Sequence, residues 1–309
     1  LSVSIKGDVE ADSIIVDATK NYTFNGTGAI VGKSKLVKRG SGMLTVATNN
    51  SYVGGTRISG GVLNITSLSN EFQETGNLGA VNTAANKFII EKGGELRTSA
   101  TVTMGSPISF LGDEGGIINT LADLNMNNAF SGTTLTKTGS AWIKLYSSGS
   151  LRKAVIAGGA IQSYAGNPAS TIEFMGGSFY DEAQATSCTI NVPEGKTGTF
   201  YMTDTYYTAY NNDLTGAGTI TFIPRNTVSR VRITGNWSKF EGTIKHTTKD
   251  IWLPLDMTGS MPNGTLDIAE GCTVTNVAKT LSIGRVTGKG SLAQPISNFQ
   301  SQTAVNGNN

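Results

Sequence analysis

Histidine is almost missing from this chain of 309 residues, and cysteine, proline and charge are scarce. The single His246 excludes an H-E-x-x-H zinc site and any histidine cluster. No G-x-S-x-G elbow accompanies it, so hydrolysis through a serine–histidine pair lacks its parts. Charged residues make up only 15%, with 24 basic against 22 acidic side chains, so neither polyanion binding nor intrinsic disorder follows from the balance. No unbroken apolar run of about 18 or more is present, which removes a transmembrane helix. Leu1–Ile5 alternate like a strand, and the expectation is that a leader was removed or lies outside this sequence. Only two cysteines occur, Cys188 and Cys272. Each shares strand parity with apolar neighbours, Ile190 and Val192 for one and Ile268 and Val274 for the other, and reads as a small core residue.

What the chain has instead is glycine, with Gly 39, threonine equally common, and serine and asparagine abundant. Glycine far above its ordinary ~7% share, matched by threonine, disfavours helical bundles and doubly wound α/β folds. Three phrases recur. G-x-G-x-apolar starts at Gly26, Gly40, Gly216 and Gly288, and an aromatic followed by Gly and Thr starts at Phe24, Tyr52, Phe130 and Phe240. A Gly-Gly pair followed two positions later by an apolar residue occurs at Gly60-Gly61, Gly93-Gly94, Gly115-Gly116, Gly158-Gly159 and Gly176-Gly177. Their spacing fits a unit of roughly 20 to 22 residues. That fit requires the step from Gly115 to Gly158 to span two units, and the step from Gly60 to Gly93 to hold an insertion. Residues 68–87 lose the alternation and read as that insertion, a loop or one short helix.

Short strands on a fixed period could build a sandwich, a propeller or a parallel β-helix. Hairpin folds need Asn-Gly or Asp-Gly turns; Asp-Gly is absent, and only Asn25-Gly26 and Asn263-Gly264 precede strand-like segments. A β-helix turns corners where glycine takes positive φ and the backbone passes close to the next coil, which suits Gly-Gly. The expected fold is all-β, a right-handed single-stranded parallel β-helix running through 1–309, with the insertion at 68–87 and a polar tail at 297–309. A coil of about 22 residues and a rise of about 4.8 Å give roughly 14 coils and a rod on the order of 65 Å. Cys188 and Cys272 then stand about four coils and ~19 Å apart, beyond the ~7 Å Cα limit for a disulfide, and are expected to be reduced and buried.

Residues 36–65, from Leu36-Val-Lys-Arg-Gly40-Ser-Gly42 through Asn49-Asn-Ser-Tyr52-Val-Gly-Gly-Thr56 to Gly60-Gly61-Val-Leu-Asn-Ile65, resemble the autotransporter-associated β-strand repeat. A weaker copy runs from Leu135 through Lys137, Gly139, Ile143 and Leu145 to Gly158-Gly159-Ala-Ile161, and 79–96 looks like the continuation of the first. The resemblance implies a right-handed parallel β-helix, secreted or on the surface of a Gram-negative bacterium, and carries no catalytic residues. An autotransporter's C-terminal membrane barrel is not expected in the polar stretch 300–309.

Candidate chemistry is sparse. Gly28 to Ser34 has three residues between its glycines where a phosphate loop needs four, and reads as a turn. Lys33, Lys35, Lys38 and Arg39, and later Arg225, Arg230, Arg232, Lys239, Lys245 and Lys249, read as solvated outer strand faces, with acidic glycans the functional alternative. Tyr201, Tyr206, Tyr207 and Tyr210 crowd with Asp204, Asn211, Asn212 and Asp213, pairing aromatic faces with amide and carboxylate acceptors as sugar sites do. Tyr206, Tyr207, Tyr210, Asp204 and Asn211 are the candidate binding residues, against packing of the tyrosines on a corner loop. Asp113-Glu114 and Asp181-Glu182 are weighed as glycosidase carboxylates, with charged turns as the alternative. Trp142, Trp237 and Trp252 read as packing. The leading reading is a non-enzymatic surface adhesion or stalk module, a monomeric rod that takes a glycan or host-surface ligand. No cofactor, metal, nucleic acid or membrane-embedded segment is expected. A β-helical polysaccharide lyase or glycoside hydrolase is the alternative.

Overall fold

Short alternating segments, cut by glycine, form strands that point every second side chain into a shared interior. The computed structural model describes the chain except for 69–72, 85–86, 184–186, 204–208, 225–231, 250–251, 256–260, 277–281, 294–303 and 306–309. No helix occurs among the described residues, and the strands pair in parallel between successive turns of a β-solenoid of about 12 turns. The chain divides into two compact units, Leu1–Ala169 and Ser170–Asn309.

In the first unit three strand faces enclose the core. One stacks Leu44, Leu63, Leu96 and Ile118 in register, followed by Lys137 and Ile156. A second stacks Val16, Lys38, Ile58, Ile90 and Phe110. The third is made by Val102–Met104, Leu124–Met126, Trp142–Leu145 and Ala160–Ser163, with Val102, Leu124, Ile143 and Ile161 in line. Nearly all the inward side chains are fully buried, and each aliphatic one contributes about 2 kcal/mol of transfer free energy.

Coil length varies more than the glycine spacing implies. The steps Leu44 to Leu63, Ile118 to Lys137 and Lys137 to Ile156 are the short ones and are equal; Leu96 to Ile118 is slightly longer, and Leu63 to Leu96 is the longest. The interval from Gly115 to Gly158 is therefore two short coils plus a small advance to the next corner. Gly60-Gly61, Gly93-Gly94 and Gly115-Gly116 lead into strands of the first face, whereas Gly158-Gly159 precedes Ala160–Ser163 of the third. The same phrase turns two different corners.

The longest coil, Leu63 to Leu96, holds the insertion, and its described residues 73–84 form a loop without helix. Two buried asparagines tie it down. Asn77 Oδ1 accepts from the backbone of Thr66 and Ser67, and its Nδ2 donates to the Thr48 carbonyl at 3.0 Å. Asn50 Nδ2 donates to the Asn77 carbonyl at 2.7 Å, while its Oδ1 accepts from the Ile30 amide of the preceding coil. Such bonds give buried backbone groups the partners that a sheet supplies elsewhere.

Lys38 departs from its expected place on a solvated face. It is 1% exposed, and its Nζ donates to the carbonyls of Arg39 at 2.6 Å, Gly40 at 2.9 Å and Gly60 of the next coil at 3.2 Å. Lys137 repeats the arrangement, donating to Thr138 at 2.6 Å, Gly139 at 3.1 Å and Gly158 of the next coil at 3.0 Å. The physical reason is parity: Lys38 stands two positions after inward Leu36, and Lys137 two after inward Leu135. Each ammonium thus closes a glycine corner and joins it to the one above. Burial pushes the Lys137 amine down to about 8 against the opposing charge of Asp123, and lowers Lys38 against Asp17.

The second unit stacks Phe179, Phe200 and Phe222 in register, with ring centroids 5.4 and 5.9 Å apart. Trp237 is fully buried, lies flat on Phe222 at 5.7 Å, and donates its indole N–H to the Asn212 carbonyl at 2.9 Å. Ala304–Val305, within the expected polar tail, pair antiparallel with Leu292 and Ala293.

Cys188 and Cys272 are free and buried. The Cys188 thiol lies 3.3 Å from Asn212 Oδ1, and burial, reinforced by the charge of Asp181, pushes it up to about 12. Neither thiol is expected to react with an aromatic disulfide reagent in the folded protein at pH 8, and both should react in denaturant. Fast native labelling of either would place it on the surface.

Candidate ligand-binding surface

Tyr206, Tyr207 and Asp204 lie outside the described residues. Tyr210 is a core residue. It is 1% exposed, its hydroxyl donates to the Thr203 carbonyl at 2.9 Å, and its ring meets Phe200 edge-on at 5.9 Å. Register explains this, because Tyr210 stacks on Ile233 and Leu255 of the following coils and shares their inward parity. No ring face is left on Tyr210 for a ligand. Asn211 points outward, with Thr234 Oγ1 3.4 Å from its Oδ1. Asn212 points inward and accepts from the Cys188 amide at 2.9 Å. Tyr201 is half-buried and stacks on Tyr180 at 3.9 Å.

The acidic pairs do not assemble as catalytic carboxylates. Asp113 and Glu114 are both exposed on a corner of the first unit. In the second unit Asp181 is fully buried and accepts from the Ala183 amide at 3.0 Å, while Glu182 accepts from the Thr203 hydroxyl at 2.8 Å. His246 is buried within its strand, in register with Ile268. Among the described residues no group of three or more His, Cys, Asp or Glu could hold a metal ion.

The third face of the first unit carries a different surface. Outward along it, in register, stand Thr103, Asn125, Lys144 and Gln162. The residues just past the strand ends, Asn127, Tyr146 and Tyr164, form a second ladder at the adjoining corner. The Tyr146 amide donates to the Met126 carbonyl and the Tyr164 amide to the Leu145 carbonyl, which locks each tyrosine one coil above the last. The two rings stack at 4.8 Å and 3° and remain 48% and 44% exposed. On the other side of Tyr146 an open groove of about 500 Å³ is lined by Thr103, Asn125, Asn127 and Tyr146.

Charge beside the groove is compensated. Lys144 Nζ lies 2.9 Å from Asp123 Oδ2, and the Trp142 amide donates to Asp123 Oδ1. Burial works to raise the Asp123 carboxyl. The hydrogen bonds from Lys144 and Trp142, with the charges of Lys144 and Lys137, outweigh it and leave Asp123 below its ordinary range. Lys144 is held up first by its hydrogen bond to Asp123, with smaller contributions from Tyr146 and Tyr164. Composition does not reveal this surface. Its signal is positional: Asn127, Tyr146 and Tyr164 each directly follow a strand of the third face.

The Passenger-associated-transport-repeat family model matches residues 36–65, the stretch that contains Lys38 and its glycine corner. The chain is 33% identical over 119 residues to the adhesin BmaC autotransporter of Brucella suis biovar 1 (strain 1330). That match covers 38% of this chain and 3% of the adhesin, so the chain spans a small part of its relative's length. No solved structure matches. Parallel coils, a repeat matched over 36–65 and partial identity to an adhesin fit an autotransporter passenger-like β-helix.

Proposed function

We propose that this chain is a non-enzymatic adhesion module, secreted or exposed on the surface of a Gram-negative bacterium, that binds a host surface as a monomer. The observation that carries the reading is the 33% identity to an autotransporter adhesin. The solenoid supports it physically, because stacked coils turn outward residues into continuous ladders over an interior that needs no ligand to fold. The candidate carboxylates argue in the same direction. Asp113 and Glu114 sit on an exposed corner and Asp181 is buried, whereas a lyase or hydrolase needs charges that converge on one groove.

Beads coated with the purified chain are expected to stay on host-cell monolayers through washing, several-fold more than albumin-coated beads, and free chain should compete them off. Retention equal to albumin would remove the adhesive reading. Release of reducing ends or unsaturated sugars from cell-surface polysaccharide would replace it with an enzymatic one.

A further inference from the structure

The groove beside Tyr146 has the parts of a small recognition site. Tyr164 covers one face of the Tyr146 ring, at 4.8 Å and nearly parallel. The groove lies on the opposite side, where Asn127 and Asn125 come from the preceding coil and Thr103 from the one before that. Tyr146 therefore presents one open aromatic face to a cleft whose other walls are amides and a hydroxyl. The ring arrives already ordered, because its backbone is bonded to the coil below and its far face is packed. Less side-chain entropy is lost on binding than for a lone exposed tyrosine.

The polar groups in the cleft differ in their availability. Asn125 Nδ2 lies 3.4 Å from Thr103 Oγ1, so part of its capacity is used. The Asn127 side-chain amide and the Tyr146 hydroxyl make no hydrogen bond within the protein among the described residues, although the Asn127 backbone N–H donates to the Met104 carbonyl. A ligand with several hydroxyls can meet donor and acceptor together at the amide, and the phenol can do either. Net charge is absent from the cleft wall, since Lys144 is paired with Asp123 at 2.9 Å. That pairing disfavours a sulfated or carboxylated ligand, which would compete with Asp123 for the ammonium and meet its carboxylate.

We infer that the groove formed by Thr103, Asn125, Asn127 and Tyr146 is a carbohydrate subsite that takes a neutral pyranoside, its C–H face on the Tyr146 ring and its hydroxyls on the Asn127 amide. This inference rests on the adhesive reading for its biological setting. Its chemistry is testable without cells. The ladder geometry also orients the sugar, because the open ring face looks along the coil axis toward Asn127. A glycan chain entering there runs past Asn125 and Thr103 on the outer face of successive coils.

The test uses the whole chain on a printed array of neutral, sialylated and sulfated oligosaccharides, followed by titration with the best neutral saccharide found. Wild type is expected to bind neutral saccharides, and Tyr146→Ala to weaken binding about tenfold. Tyr146→Phe, which keeps the ring, should lose only about twofold to fivefold, and Asn127→Ala about fivefold. Tyr164→Ala should lose less than Tyr146→Ala, because it removes only the backing ring. Unchanged thermal melting of each variant excludes misfolding, and any variant that melts early is replaced in the comparison by Asn127→Ala. Absence of neutral saccharide binding, preference for sulfated or sialylated glycans, or equal affinity of wild type and Tyr146→Ala would overturn the inference. Bead adhesion that survives Tyr146→Ala would overturn this site while leaving the adhesive function standing; wild-type beads that fail to adhere would strike the function and not the subsite.

Discussion

Replacing Gly159 by valine is expected to destabilise the first unit by about 4 kcal/mol or more, enough to abolish its folded state at 37 °C in a marginal background. Gly159 sits at φ +58°, where a β-branched residue is strained. A Cβ there would also meet the Ala141 carbonyl oxygen, the Gly139 oxygen at 2.7 Å and Lys137 Nζ at 2.8 Å. Backbone on one side and a buried ammonium on the other leave no side chain free to give way. Gly166 provides the comparison, since it has φ +93° with nothing within 4 Å of its virtual Cβ. Gly166→Ala should therefore cost only about 1 kcal/mol, the conformational term alone. Urea unfolding of the two variants separates the contributions. Equal losses would mean that close approach between coils does not set the glycine requirement.

The second large effect is the contribution of Lys137 to the pH dependence of stability. Its amine sits at about 8 in the folded chain and near 10.5 when unfolded. Between those values the unfolded chain holds a proton that the folded chain has shed, so stability rises with pH across the window. The gain is complete above about 10.5 and is lost as pH falls to about 8. Its size is up to about 3 kcal/mol, from about 1.4 kcal/mol for each unit of difference. Other groups titrate there too, including Cys188, so the quantity to measure is the stability difference between wild type and Lys137→Met. That difference should climb in favour of wild type from pH 8 to 10.5, while below pH 8 it stays flat. A difference that falls with pH would show that the three carbonyls hold the ammonium charged more firmly than burial opposes it. Lys38→Met supplies the same comparison at the other corner, where burial lowers the amine as well.

These lysines show where reading the sequence succeeded and where it stopped. The β-helix was legible because glycine pairs and short alternating strands recur on a period that hairpin chemistry cannot use. Lost alternation at 68–87 falls within the longest coil, whose described residues 73–84 are a loop held by Asn50 and Asn77. Charge favours an outer face for Lys38, but strand parity overrides it. Two positions after buried Leu36 and close to a glycine corner, its stem could only point inward, and the corner carbonyls make that tolerable. Tyr210 stands among polar neighbours in sequence, yet its register with Ile233 and Leu255 turns it inward.

The tyrosine ladder was hidden by a different obstacle. The whole run from Ser147 to Ser163 separates Tyr146 from Tyr164 in sequence, and coil length changes from one turn to the next. Without the register, nothing marks the two rings as neighbours. Once Leu124, Ile143 and Ile161 are aligned as the inward row, Asn127, Tyr146 and Tyr164 fall three positions beyond them. Variable coil length thus conceals exposed ladders from simple periodicity, even where the interior row is plain.

That register is what brings Asn125, Asn127 and Tyr146 to one groove. Paired cysteines on the outer face measure it directly. Asn125 and Lys144 are register partners in adjacent parallel strands, and Lys144 in turn partners Gln162. Neighbouring strands lie about 4.8 Å apart, inside the Cα range of a disulfide, whereas two coils lie about 10 Å apart and outside it. With the native thiols buried, Asn125→Cys with Lys144→Cys is expected to oxidise to an intramolecular bridge, seen as a linked tryptic peptide by mass spectrometry. Asn125→Cys with Gln162→Cys should stay reduced under the same oxidant. A bridge in the second pair and none in the first would contradict the pairing of Asn125 with Lys144 and dissolve the groove with it.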